Sequence, residues 1–302
     1  MEQPQHQPSE QEPAAPHPPS AVQQDSQQKS DLKTDDSGEA KKSYNQILSE
    51  EVTEGLHAQQ RSFPALAFSG LSAGLDIGFS VLLMTTAMAA AGSHHHNLFY
   101  KLVVASSYSV GFVFVALGRS ELFTEQTTLA VLPVLSGQSS FASLLRLWGI
   151  VYVANILGAI GFAALLAHIG PEAGFAHRSD FRRVAQRLVK PDGEALFVSA
   201  LLAGWLMGLL SWLVTAARDT ISQIIIVWIV ASSIGFAHLA HAIAGSVEVL
   251  SGLFAGQGIT WLDYGHFLFW ATLGNAVGGT VFVALLKYSQ ALHDPTNAKR
   301  QL

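Results

Sequence analysis

The stretch Ser233-Ile-Gly-Phe-Ala-His-Leu-Ala-His-Ala-Ile-Ala-Gly-Ser-Val-Glu248 sets two histidines and a carboxylate into a run that is otherwise small and apolar. It lies within a hydrophobic segment from Ile221 to Phe254. That segment is too long for one straight crossing, since about 20 helical residues cover about 30 Å of hydrocarbon. Ionisable side chains at such depth cost roughly 2.5–3.5 kcal/mol each on insertion scales, so they face a cavity, a partner or a solute path. His238 and His241 stand three apart, and the small residues after His241 let backbone or a ligand come close. They read either as core histidines bonded to neighbouring carbonyls or as proton-exchanging residues on a pore.

A second over-long segment runs from Leu98 to Leu135 and is interrupted by Gly118-Arg-Ser-Glu-Leu-Phe-Thr-Glu-Gln126. Four ordinary spans complete the set: Ala65 to Ala91, Phe141 to His168, Ala195 to Ala217 and Trp261 to Tyr288. Irregular backbone at membrane depth survives only where protein buries it or where it lines an aqueous cavity, so two breaks imply one shared site. An internal repeat lays the first three spans on the last three. Ser69-Gly-Leu-Ser-Ala-Gly-Leu-Asp-Ile-Gly78 matches Ser199-Ala-Leu-Leu-Ala-Gly-Trp-Leu-Met-Gly208, and Ala154-Asn-Ile-Leu-Gly158 matches Gly274-Asn-Ala-Val-Gly278. An odd number of spans per half forces opposite orientation of the two copies, which places a binding site near the bilayer midplane. The fold class is therefore an all-α membrane protein of six helices in two inverted three-helix repeats, with the second and fifth helices broken. The glycines read mainly as helix-packing residues, and Asn155 and Asn275 as partners for backbone freed at the breaks.

Composition agrees with a membrane body: 13% of the 302 residues are charged and 49% are hydrophobic. A net charge of -5, with the acids concentrated near the front, leaves no footprint for nucleic acid. With no cysteine, neither a disulfide framework nor thiolate chemistry arises. Residues 1–43 are rich in Gln, Pro, Ser, Asp and Lys, too poor in apolar side chains to offset ordering entropy, and read as a disordered tail. They lack the pattern of a signal peptide. Residues 44–62 read as an amphipathic helix with Ile47, Leu48, Val52 and Leu56 on one face. The membrane body occupies 63–291, and 292–302 form a short second tail. An even number of spans puts both termini on one side, which the terminal Lys and Arg residues make cytoplasmic. A basic loop on the other side, with Arg178, Arg182, Arg183, Arg187 and Lys190, reads as a collector of anions.

These residues resemble the formate/nitrite transporters, and within them a YfdC-type branch, from about Arg61 to Ala291. The resemblance rests on Glu121-Leu-Phe-Thr124, Val151-Tyr-Val-Ala-Asn-Ile-Leu-Gly158, His241-Ala-Ile-Ala-Gly245 and Gly274-Asn-Ala-Val-Gly-Gly279, with Arg146-Leu-Trp-Gly149 and Gly245-Ser-Val-Glu248 as branch-like features. It implies an aquaporin-like protomer, a homopentamer in the bacterial inner membrane, and passage of small monovalent anions or their weak acids, with protons and without a cofactor or metal. By resemblance the pore histidine is His241, with Gly235-Phe-Ala-His238 as the competing register. Tyr108 and Phe112 fall at constriction positions, Leu122, Phe123 and Thr124 on the loop of the second helix, and Lys190 near an anion-attracting lysine. Arg119 and Glu125 depart from the family pattern. With Asp76, Glu121 and Glu248, they read either as an internal polar network or, for Arg119, as a bidentate clamp on a carboxylate solute.

The mechanism implied is neutralisation: desolvating an anion at an apolar constriction costs several kcal/mol, and its conjugate acid crosses more cheaply. A histidine titrating near neutrality suits that exchange. Two other classes compete. A membrane-embedded metalloenzyme would use His238, His241 and Glu248, with His94–His96 as further donors, although zinc needs three or four that converge. A non-transporting scaffold or sensor would pass no solute.

Overall fold

The computed structural model describes residues 41–91 and 97–293. The tail expected over 1–43 lies almost wholly outside them, as do His94–His96 and most of the segment 292–302. Among the described residues, six helices are long and apolar enough to cross a membrane. They are α2 (Phe63–Ala90), α3 (Leu98–Gly118), α6 (Phe141–Glu172), α8 (Gly193–Ala216), α9 (Thr220–Ala237) and the run from Trp261 to Leu292. The last comprises α11 (Trp261–Gly279), a π-helical turn over Thr280–Leu285, and α12 (Leu286–Leu292). The protein is an integral membrane protein. Large apolar residues such as Phe68, Val153, Leu165, Ile229 and Phe269 stay on its outer surface, as a lipid solvent or subunit contacts permit.

Both breaks fall within the sequences that announced them, but are shorter. Helix α3 stops at Gly118 and the chain resumes as α4 (Phe123–Leu129), followed by one turn, α5 (Leu132–Leu135). Helix α9 stops at Ala237 and resumes as α10 (Ala242–Phe254). Each long half ends on a left-handed residue, Arg119 at φ 53°, ψ 39° and His238 at φ 52°, ψ 42°. Each short half starts from an extended one, Leu122 at φ -104°, ψ 126° and His241 at φ -106°, ψ 124°. These matching angles at equivalent positions are the backbone signature of the inverted repeat.

The freed backbone is satisfied in the same way in both halves. Asn155 Oδ1 accepts from Phe123 N at 2.8 Å, while its Nδ2 donates to Gly70 O at 2.7 Å and Glu121 O at 2.9 Å. Asn275 Oδ1 accepts from Ala242 N at 2.8 Å, and its Nδ2 donates to Ala200 O at 2.7 Å and Ala240 O at 3.0 Å. Ser69 and Ser199, aligned by the sequence repeat, accept from Glu121 N at 3.0 Å and Ala240 N at 2.9 Å. Close approach makes this possible. A Cβ on Gly74 would lie 2.2 Å from Asn155 O, and one on Gly204 2.3 Å from Asn275 O, so both positions require glycine.

Three elements go beyond the sequence reading. The basic loop contains a helix, α7 (Arg178–Val189), because Phe181, Val184, Ala185 and Leu188 form a buried stripe against α10 while the arginines stay outside. The third span runs on past His168 to Glu172, with Pro171 in its last turn. The π turn follows Gly279, whose carbonyl accepts from Thr128 Oγ1 at 3.0 Å, and Thr280 Oγ1 in turn donates to Thr127 O at 2.8 Å. A ladder whose Gly279 carbonyl is shared with the Thr128 side chain of α4 relaxes into the wider turn.

The amphipathic helix α1 (Tyr44–Gln60) lies against the body, capped by Ser43 and Gln46. It is anchored by more than its apolar face. Gln59 Nε2 donates to Ala130 O at 2.7 Å, Arg61 Nη1 meets Glu121 Oε1 at 2.6 Å, and Tyr44 OH donates to Lys287 O. Glu51, fully buried, accepts from Ser211 Oγ at 3.0 Å and Thr215 Oγ1 at 2.5 Å. Burial raises its carboxyl to about 7.

Candidate site at the crossing of the broken helices

The two breaks meet. His241, the N-cap of α10, and Thr124, in the first turn of α4, are joined by a 2.8 Å hydrogen bond between Nε2 and Oγ1. Both are buried. Ala244 N–H donates to His241 Nδ1 at 3.2 Å, so the neutral imidazole carries its proton on Nε2, aimed at Thr124. A standing imidazolium would set a second N–H against the Ala244 N–H and lose the cap. The ring therefore offers one proton at one atom, in a direction fixed by the helix it caps.

An aromatic stack leads away from this pair. Phe112 packs edge-on against His241 with ring centroids 5.1 Å apart, and Tyr108 lies 5.2 Å from Phe112. On the other side stand Leu122 and Phe123, both buried, with Phe123 packed on Tyr152 and Trp148. The surroundings of the His241–Thr124 pair are otherwise apolar, so an ion brought there would lose its hydration without replacement.

His238 sits at the other end of the same break, on the rim of a cleft whose walls include Met84, Tyr108, Arg187, Leu188 and Glu248. Its Nδ1 has one long contact, 3.5 Å to Arg187 Nη1. The structure thus gives the two histidines different surroundings: His241 buried beside Phe112 and Thr124, His238 on the rim of the cleft. Arg187, itself exposed, is the member of the basic loop whose side chain lines the cleft; Lys190 is exposed at the C-cap of α7. Sequence reading singled out Lys190, since the helical phase that sets Arg187 at the cleft appears only once α7 is recognised.

The charged residues divide between two places. Glu121 pairs with Arg61 and also accepts from Gln126 Nε2. Arg119 is exposed and has no ion pair among the described residues, so the partner of Glu121 comes from the end of α1. Asp76 Oδ2 accepts from Ser72 Oγ at 3.2 Å and Ser120 Oγ at 3.5 Å, near the first break. Glu125 follows Thr124 in α4, half-buried and close enough to Glu121, Glu51 and Glu54 to feel their charge. Glu248 lies on the cleft side. Among the described residues no three His, Asp or Glu side chains gather as metal donors, so His238, His241 and Glu248 do not converge.

The formate/nitrite transporter model matches residues 45–289. A relative described as inner membrane protein YfdC from Escherichia coli is 31% identical over 82% of this chain and 78% of its own. The nitrite transporter NirC of Salmonella typhimurium is 25% identical over 72% of this chain and 80% of its own. Among solved structures, a pentameric formate channel with formate bound aligns with a TM-score of 0.67 and 22% identity, covering 76% of this chain and 98% of that one.

Proposed function

The chain belongs to the formate/nitrite transporter family, and we propose that it carries small monovalent anions or their conjugate weak acids through a pore in each protomer, with His241 as the proton-exchanging residue. The observation that carries this reading is the His241–Thr124 hydrogen bond at the crossing of the two broken helices, beside Phe112. An anion drawn in by Arg187 and the basic face of α7 reaches an apolar constriction with one polar opening. His241 presents its Nε2–H to the solute there, and Thr124 is placed to exchange hydrogen bonds with both. The neutralising proton enters from solvent through a transient imidazolium, since a neutral ring that gave up its own proton would be left as an imidazolate. Neutralisation removes the several kcal/mol that an unaccompanied charge would cost. Each transfer takes one solvent proton onto the ring, displacing the Ala244 N–H from Nδ1, and gives one to the solute at Nε2, which couples one solute to one proton.

The same reading places the protein in a bacterial inner membrane as a homopentamer with both termini cytoplasmic. It is supported by the names of the relatives and by the positive charge near the termini. Solute flux against pH in proteoliposomes tests it. His241→Asn abolishes proton-coupled flux or leaves pH-independent leakage, and His238→Asn retains the coupling. Loss of coupling in His238→Asn alone transfers the role to His238, and coupled flux in both variants refutes the relay.

A further inference from the structure

Among the described residues, only Arg119 and His238 hold a left-handed backbone without being glycine. That conformation costs an L-residue and is nearly free to glycine, and residues held in it against the cost gather at functional sites. The backbone explains the angle but not the side chain. At the first break Arg119 N–H donates to Ala116 O at 3.4 Å and Ser120 N–H to Val115 O at 3.1 Å; at the second, His238 N–H donates to Gly235 O at 3.3 Å and Leu239 N–H to Ile234 O at 3.0 Å. Glycine would close either helix in the same way. Nor does local bonding hold the side chains in place. Both are exposed, Arg119 has no ion pair among the described residues, and the contact of His238 with Arg187 is long at 3.5 Å.

What the two residues share is a basic side chain at the same point of the inverted repeat. Three crossings, α2, α3 with α4, and α6, separate α1 from α7, so those two helices lie at opposite ends of the bundle. Arg119 belongs to the α1 end, where the neighbouring Ser120 meets Asp76 and Glu121 pairs with Arg61. His238 belongs to the α7 end; the ionisable groups around it are Arg187 of α7, Lys101 and Tyr108 of α3, and Glu248 of α10. We propose that these two residues set the charge of the two mouths, a permanent cation at Arg119 and a switchable one at His238, so that anion capture responds to pH on the α7 side and not on the α1 side. The inference rests on the transport reading above and adds a sidedness to it. A guanidinium stays charged throughout the physiological range, whereas an imidazole changes charge around about pH 6.5. A cation at a narrow mouth raises the local concentration of anions. On the α7 side the anion is therefore gathered when protons are plentiful, which is also when His241 is most readily recharged. Glycine at either position would relieve the backbone and discard the charge.

The test measures KM for uptake of formate and nitrite into sealed membrane vesicles carrying the full chain, right-side-out and inverted, with the outer medium at about pH 5 or about pH 8, on either side of the ordinary imidazole range. Variants are compared at one pH, which removes the titration of the solute itself. Where the α7 face is outermost, His238→Gly raises KM about three- to tenfold at the lower pH and leaves it unchanged at the higher, as one unit charge near the solute implies. His238→Arg does the converse: it matches the wild type at the lower pH and lowers KM by the same factor at the higher. Where the α1 face is outermost, Arg119→Gly raises KM by a similar factor at both pH values, and the His238 variants match the wild type. Wild-type KM in both His238 variants at both pH values overturns the inference and leaves the transport reading in place. So does a wild-type KM in Arg119→Gly, or a change confined to the maximal rate. A folded wild type that takes up neither solute in either orientation overturns the transport reading itself.

Discussion

Asn155→Ala removes three hydrogen bonds at once, and the geometry allows its cost to be worked out. Phe123 N loses its acceptor, and Gly70 O and Glu121 O lose a donor. Each buried group left unpaired costs about 1–3 kcal/mol, which sums to roughly 3–9 kcal/mol. Side-chain hydrogen bonds between membrane helices average about 0.6 kcal/mol, because the unfolded chain in the bilayer also finds partners, which sets a floor near 2 kcal/mol. A loss of about 2–5 kcal/mol is therefore expected, and the same for Asn275→Ala, whose three bonds differ from those of Asn155 by at most 0.1 Å. Asn155→Asp is nearly isosteric and keeps the acceptor for Phe123 N, but turns a carboxylate towards two carbonyls. It should be no milder than the alanine. Reversible unfolding in mixed micelles gives the free energies, and proteoliposome flux reports the pore. An Asn155→Ala protein within about 0.5 kcal/mol of the wild type, with unchanged flux, would show that the amide does not hold the break and would refute the reasoning.

Glu51 makes docking of α1 depend on pH. Its carboxyl is raised by burial to about 7 in place, from 4.5 when freed, so docking is strongest below pH 4.5, weakens as pH rises through 7 and levels off above it. The span corresponds to about 3 kcal/mol; Glu51→Gln should erase the pH dependence of hydrogen exchange in α1, and a wild-type α1 whose protection rises with pH would contradict the sign. Gly74→Val drives side-chain atoms into the Asn155 carbonyl and should abolish recovery of folded protein, as should Gly204→Val, judged by size exclusion. Arg119→Gly relieves a left-handed backbone on an exposed residue and should stabilise the fold by up to about 1 kcal/mol in thermal melts, whereas a clear destabilisation would reveal a partner for the guanidinium.

The sequence by itself determined the architecture, because hydrocarbon admits few solutions. Lengths of apolar residues count the spans. Polar residues inside two of them can only mark breaks that meet at a shared site, and the pairs Ser69/Ser199 and Asn155/Asn275 declare the repeat at the positions that hold those breaks. What it left open was direction. Spacing placed His238 and His241 three residues apart but could not say which faces Thr124, since that depends on a left-handed residue at 238 and an extended one at 241. Nor could it pair Glu121 with Arg61 in place of Arg119, which is only two residues away in the chain but exposed. Arg187 gave no signal above its neighbours until α7 packed Phe181 and Leu188 inward and set the exposed arginine at the cleft that Glu248 also lines. Periodicity is a local property of the chain and survives in the sequence. The facing of one side chain towards another is fixed only when packed helices set their rotation and depth, and the chemistry of this pore depends on that facing.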